Sequence, residues 1–326
     1  MRYSQTQLQR KQAGLTMVEL LVALAIGSFL IIGAVQIYNQ SRQAFVVNES
    51  IARVQETAQF ALDTIEADLR MASNWGRNSR ALTVEGRAIA GNGNPNNLDE
   101  PTDCGVGWAL DLAQIVDGEN NDFTLPCSAV GGLQANSDSF TVRRATVQPQ
   151  PLQAGRLQIQ TTRIQGRLFD NGAIPAGFSP ADSTTHNLIV NTYYVAADSD
   201  LIPGTPTLRR KTLTVTGGAP DVVDQEIAPG VESIQIQLGV DVNEDNTVDR
   251  YVNPGDGVYD PNDAGFIPGA RVMTARIWVV VRGLTAEVGI IDNRDYEPGD
   301  VDLGVPSDQY RRMQVSKTIL LRNTRI

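Results

Sequence analysis

From Leu15 to Tyr38 the chain reads LTMVELLVALAIGSFLIIGAVQIY, and the only charge in those 24 residues is Glu19. A helix crosses the hydrocarbon of a bilayer with ~20 mostly apolar residues at ~1.5 Å rise each, so this stretch is long enough to span. The residues before it, 1–14, carry Arg2, Arg10 and Lys11, no acid, and end on Gly14. By the positive-inside bias this leader stays cytoplasmic and everything after Tyr38 crosses the membrane. A cleaved secretory signal is the competing reading. It needs a small-x-small site after the apolar stretch, where the chain instead continues Gly33-Ala34-Val35-Gln36-Ile37-Tyr38.

A carboxylate inside hydrocarbon costs ~2.5–3.5 kcal/mol on insertion scales, so Glu19 asks for a partner. No Lys, Arg or His occurs between Lys11 and Arg42. Cutting the chain after Gly14 would create an α-ammonium at Leu15, four residues from Glu19 on the same helix face; a neighbouring helix could supply the same group. Snorkelling of Glu19 to the headgroups is the alternative. The run Gly14-Leu15-Thr16-Met17-Val18-Glu19-Leu20 resembles the processing motif of type IV pilins and type II secretion pseudopilins. That resemblance implies a prepilin peptidase that cuts after Gly14 and methylates the new amine of Leu15, with Glu19 guiding subunit assembly. Leu15 stands where the family usually has Phe, and Met17-Val18 replaces a Leu-Ile type pair.

Helical character continues beyond the membrane. Val47, Ile51, Val54, Ala58, Leu62, Ile65 and Leu69 step by three or four, while Glu49, Arg53, Glu56, Asp63, Glu66 and Arg70 take the opposite positions. The first proline is Pro95. This predicts one helix from Leu15 to about Ser73, ~88 Å long at 1.5 Å per residue, stopped by Asn74 and Gly76. The expected organisation is a cleaved leader 1–14, a membrane and assembly helix 15–38, its amphipathic continuation 39–76, and a periplasmic β-rich domain 77–326. Residues 77–136 read as long loops. Within them Cys104 and Cys127 favour a disulfide in an oxidising, exported compartment, two independent buried thiols being the alternative. Strand patterns follow at 138–147, around Leu157–Thr161, and at 187–196, 207–215, 234–240, 270–282 and 314–323. Ala275 to Val281 is apolar on both faces, as a central strand under the helix would be. The fold class is therefore α+β: a long N-terminal helix packed on a mostly antiparallel sheet with long loops.

Composition narrows the function. A net charge of −10 disfavours nucleic acid, which is held by Lys and Arg on phosphates. One His and two Cys leave zinc and triad chemistry without raw materials. No GxSxG, Walker A or dinucleotide fingerprint occurs, His186 reads as structural, and no catalytic residue is assigned. Tyr193, Tyr194 and Trp278 read as strand packing, and Arg209-Arg210-Lys211 as a solvated face or a contact for an acidic partner. Loss of the leader moves the charge three units further negative. Residues 219–304 hold 17 acids against five basic residues. Inside that window Asp241, Asn243, Asp245, Thr247 and Asp249 follow the alternation of a calcium loop, Thr247 through its carbonyl. Asn246 replaces the usual glycine and Val252 stands where a bidentate Glu belongs, so Asp256 or Asp260 would have to add a ligand. Ca²⁺ is the one cofactor expected, and an ion-free Asx turn the alternative.

Four further stretches, 56–63 (ETAQFALD), 68–72 (DLRMA), 230–241 (GVESIQIQLGVD) and 320–323 (LLRN), resemble the PilW-type minor pilins. The resemblance implies a low-copy, non-enzymatic subunit. It would prime a type IV pilus with other minor pilins and the major pilin, and sit near its tip, often with a PilY-type adhesin. Twitching motility and adhesion would depend on it. It would reside in the inner membrane before assembly and in the fibre afterwards. The alternatives are a type II secretion pseudopilin and a membrane-anchored periplasmic calcium-binding domain that never assembles.

Overall fold

The computed structural model describes residues 14, 16–89 and 91–324; the basic residues up to Ala13 and Leu15 lie outside the described residues. The chain separates into two compact units, residues 1–51 and 52–326.

The first unit holds the N-terminal part of a single helix, α1, Met17–Met71, two residues shorter at each end than predicted. Leu24, Phe29, Ile31 and Ile37 all stand exposed along it. A helix that is apolar all round is stable only in apolar surroundings, so this surface calls for lipid or for other helices.

In the second unit the helix becomes one-sided: Val54, Ala58, Ala61, Leu62, Ile65 and Leu69 are buried. It ends where the backbone turns left-handed at Ser73 (φ 62°), with the Asn74 amide on the Met71 carbonyl at 3.0 Å. Gly76 follows at φ 91°, and a Cβ there would fall 2.5 Å from Cδ2 of His186. Only glycine satisfies both the dihedral and the approach.

Twelve strands follow: β1 Val84–Glu85, β2 Val116–Glu119, β3 Ser139–Ala145, β4 Ala154–Thr161, β5 Gly166–Asn171 and β6 Thr184–Ala196, then β7 Thr207–Thr216, β8 Ala219–Pro229, β9 Val231–Asp241, β10 Arg250–Val252, β11 Arg271–Arg282 and β12 Arg312–Leu320. They form an eight-stranded sheet ordered β1-β5-β4-β6-β3-β2, with β7 and β8 added beside β6, and a four-stranded sheet ordered β10-β9-β11-β12. Only β1 and β5 pair in parallel. Every strand predicted from alternation is present. β1, β2, β5, β8 and β10 were not predicted; β8 carries three acids and is closed by Pro220 and Pro229 near its ends, which hides its pattern on a sheet edge.

Two cores result. In the larger, the helix stripe meets Ile234, Ile236, Leu238 and Val240 of β9 and Ala275, Ile277, Val279 and Val281 of β11. Burying each such aliphatic side chain contributes roughly 1.5–3 kcal/mol, and β11 is the central strand its sequence predicted. In the second, Trp75, Trp108, Leu110 and Leu112 pack on Ile159, Leu168, Leu188 and Val190 of the larger sheet. Apart from the short β1 and β2, residues 77–136 are thus irregular, as expected, but 81–112 supply a packed cover to the second core.

Polar joints fix these layers. Asp68 on α1, 4% exposed, accepts from Arg144 Nη2 (2.7 Å) and Nε (2.9 Å), Asn191 Nδ2 (2.5 Å) and the Tyr193 hydroxyl (2.6 Å). Glu66 is not on a solvated face as its helical position suggested: it is buried against Lys317 of β12 and bonded by Arg70. Arg209 and Lys211 are likewise buried rather than solvated; Asp224 takes both (2.6 and 2.8 Å) and Asp200 takes Arg209 (2.9 Å). Asp138 ties the two sheets together, accepting from the Ile236 amide of β9 (2.7 Å) and the Asn121 amide (2.9 Å). Its burial pushes the carboxyl up to about 7.

Asp68→Ala would strand the Arg144 guanidinium, so it should cost ~3–5 kcal/mol in denaturant unfolding; a loss under ~1 kcal/mol would refute the pin. For Asp138 the folded state holds its proton more tightly than the unfolded chain. Its stabilisation is full below about pH 4 and lost as pH rises through about 7. The stability of the wild type relative to Asp138→Asn should therefore fall by up to ~2–3 kcal/mol between pH 5 and pH 8. A pH-independent difference in paired melts would contradict this.

Candidate functional site

The helix begins with a reciprocal clasp. The Thr16 amide and hydroxyl each donate to Glu19 Oε2 at 3.0 Å, and the Glu19 amide donates to the Thr16 hydroxyl at 3.3 Å. This is a capping box, in which the threonine and the glutamate three residues on satisfy orphan amides of the first turn. The sequence Thr16-Met17-Val18-Glu19 carries this box in its spacing alone, a signal independent of any distant cation. Glu19 thus has donors within its own first turn, and its carboxylate sits at the positive end of the helix dipole. Among the described residues nothing lies within 4 Å of the place a Cβ on Gly14 would occupy. Leu15, whose amine is the expected partner of Glu19, lies outside the described residues.

Cys104 and Cys127 form the expected disulfide, with Cα atoms 4.4 Å apart. Cys104 is buried beside Trp108 in the second core. The bridge therefore closes a loop within the cover segment, around β2, and contributes ~3 kcal/mol for a loop of this size. Next to it lies a cleft of about 480 Å³ walled by Val106 and Trp108, with Asp111, Asp117, Arg143 and Asn262 around it. Burial raises the Asp111 carboxyl there. Arg143 is already committed to the carbonyls of Trp108 (2.9 Å) and Gln114 (2.8 Å).

The five residues of the expected calcium loop are brought together only in part. Asp241 is buried and accepts from Arg271 Nη2 (2.9 Å) and from the amides of Asn246 (2.9 Å) and Asn243 (3.2 Å). Burial pulls its carboxyl upward, but these donors outweigh it and hold the group below the usual range. Asp249 turns inward to the Val242 amide (2.8 Å) and Asn243 Nδ2 (3.3 Å). Asp245 instead takes the Thr247 hydroxyl (2.5 Å) and amide (2.8 Å) on the exposed side, and the hydroxyl lowers its pKa. Asn246 adopts the left-handed conformation its substitution for glycine requires (φ 65°). Asp256 and Asp260 cap turns of their own, bonding the amides of Val258 (2.9 Å) and Asn262 (2.8 Å). Among the described residues no three His, Cys, Asp or Glu side chains gather as a metal site would.

His186 is buried, with Nδ1 2.7 Å from the Thr146 carbonyl and Nε2 3.0 Å from the Thr184 hydroxyl. Nδ1 serves the joint between β6 and the residue after β3, and Nε2 bonds within β6 itself. Tyr193 and Tyr194 are buried strand residues, each anchoring a carboxylate, Asp68 and Asp224.

The prokaryotic N-terminal methylation motif matches residues 9–35. The type IV pilus-assembly protein W family matches residues 192–323, from the second half of β6 to just past β12. Among solved structures a type IV-like pilin from Thermus thermophilus overlays with a TM-score of 0.28 at 12% identity, over 65% of this chain and 84% of that one, an overlap too loose to define a shared topology. No curated protein matches the sequence significantly.

Proposed function

We propose that this chain, a type IV pilin of the PilW type, acts as a minor subunit that primes fibre assembly and stays near the fibre tip. The observation that carries the proposal is the capped, apolar and exposed start of α1 at Met17, with Gly14 three residues before it in the chain. Such a helix needs a bilayer while the subunit waits and other helices once it is assembled. The work is geometric and electrostatic, with no reaction catalysed. A prepilin peptidase would free the Leu15 amine, and Glu19 would pair with an amine of its own or a neighbouring chain to set axial register. The unit 52–326 would lie in the periplasm and meet other minor pilins, the major pilin and a PilY-type adhesin.

The mature protein from its host should begin at Leu15 with an N-methyl group in N-terminal mass spectrometry. Glu19→Ala should still be cut, yet fall at least about tenfold in sheared fibres, a change that ~1.4 kcal/mol suffices to produce. Unaltered incorporation of that variant would defeat the assembly role. A type II secretion pseudopilin shares this physics; loss of exported enzymes rather than of twitching on deletion would favour it.

Calcium at 241–249 is a second proposal, supported by the carboxylates of Asp241 and Asp249, which both accept from Asn243. The ion would compete with Arg271 for Asp241. Calcium should raise the melting temperature relative to a chelator, and more so in Arg271→Gln; superimposable melts would dispose of the site.

A further inference from the structure

The four-stranded sheet has a second, outward face. The register sets Gln237 of β9 beside Arg276 of β11 and Thr318 of β12, with Trp278 opposite Ser316 and Tyr251 of β10 opposite Gly239. Tyr251, Gln237, Arg276 and Trp278 are partly exposed, and Ser316 and Thr318 fully so. Arg276 holds its guanidinium 4.1 Å from the centre of the Tyr251 ring and 5.7 Å from that of Trp278. No carboxylate among the described residues pairs with it. In a chain of net charge −10, the register neighbours of Arg276 on this face include no acid, while Arg282 and Arg312 at the far end of the same face are bonded to the Gly204 carbonyl and to Glu232 and Asp308. A planar cation already stacked on aromatic rings is arranged for a bidentate carboxylate, and Trp, Tyr and Arg are the side chains that dominate binding hot spots.

The face runs to an open edge. The Leu321 amide bonds the Met273 carbonyl and the Gly283 amide bonds the Arg311 carbonyl, so the odd-numbered residues of β12 point their backbone groups at β11. The even-numbered ones point away. The Arg312 carbonyl is taken by Arg294 at 2.5 Å, and the side chain of Gln314 reaches the Glu297 carbonyl. Beyond that cover, the outward amides and carbonyls of Ser316 and Thr318 have no partner among the described residues. Donors and acceptors alternating along a strand edge match another polypeptide strand, not a sugar or a lipid. The small side chains of Ser316 and Thr318 leave Trp278 and Arg276 reachable from that edge.

We propose that β12, over residues 315–320, accepts an extended segment of another fibre subunit as a fifth strand, and that an acidic side chain of that segment lies across Ser316 and Thr318 to pair with Arg276. This rests on the reading of the chain as an assembling pilin and names the chemistry of its partner. The partner strand supplies main-chain hydrogen bonds, and its carboxylate supplies the choice of register. Charge complementarity selects it, because Arg276 is a cation with rings and amides but no acid beside it.

The test uses the full-length chain in its native host. Thr318→Pro removes an outward amide and leaves the ladder to β11 intact, since proline is accommodated at edge positions that face away. Arg276→Glu reverses the charge of the face. A benzophenone side chain introduced at Ser316 traps by ultraviolet light whatever lies on the edge, and mass spectrometry maps the adduct. Both substitutions should leave membrane level and cleavage after Gly14 unchanged while lowering the chain in sheared fibres about tenfold, ~1.4 kcal/mol. The adduct should map to an acid-bearing extended segment of another subunit, and placing Lys at that acid should restore Arg276→Glu. If Thr318→Pro fails to accumulate, Arg276→Glu and the adduct decide. Wild-type chain missing from fibres would defeat the assembly reading itself. Wild type present together with undiminished variants, or an adduct only to lipid or glycan, would overturn the edge proposal alone.

Discussion

Asp68 is a carboxylate taken almost wholly out of water, and a buried charge is tolerated only where partners replace its hydration. Its partners come from two adjacent strands, β3 and β6, and the acid comes from the helix. Apolar packing alone would let a helix slide or roll on a sheet at small cost. A charge with donors on several sides has one position in which all are satisfied, which sets both the rotation of residues 52–71 and their height on the strands. Glu66 adds a second fixed point through Lys317 of β12. The aliphatic stripe supplies most of the burial, and the two acids decide which of several similar burials is adopted.

The same logic governs the acidic half of the domain. The window 219–304, taken by itself, suggests a surplus of carboxylates awaiting a metal cation. In the fold part of that surplus is met by cations from just outside it. Arg209 and Lys211 on β7 take Asp224, Arg311 takes Glu287, and Arg312 takes Glu232. Antiparallel pairing brings β7 against β8, so charges separated by the window's boundary become neighbours. A count along the chain has no access to that pairing. Arg276 is the exception that gives the outer sheet face its character, since its neighbours are aromatic rings and amides rather than acids.

At the other end of the molecule, the chemistry assigned to Glu19 involves two arrangements of one side chain. The clasp with Thr16 shows how the carboxylate is held by its own first turn. An amine would have to compete with, or join, those two donors. A carboxylate has about four acceptor positions, so the clasp and an ion pair are compatible in the number of bonds.

The amino-acid sequence by itself determined the helix from Met17 to Met71, because a periodic stripe and the absence of proline leave the backbone no other way to bury those residues. It determined that the first part of this helix needs apolar surroundings, that β11 is central, and which two cysteines could pair. Thr16 and Glu19 were equally legible as a local pair. What only the tertiary structure decided lies between residues far apart in the chain: Asp68 with Arg144 and Tyr193, Glu66 with Lys317, Asp241 with Arg271, and the conversion of an apparently loose segment into the cover of a second core. Periodicity reports which face of an element is apolar. It is silent on which distant charge will meet a buried acid, because that depends on strand order and register, and these are settled only when all the layers pack at once.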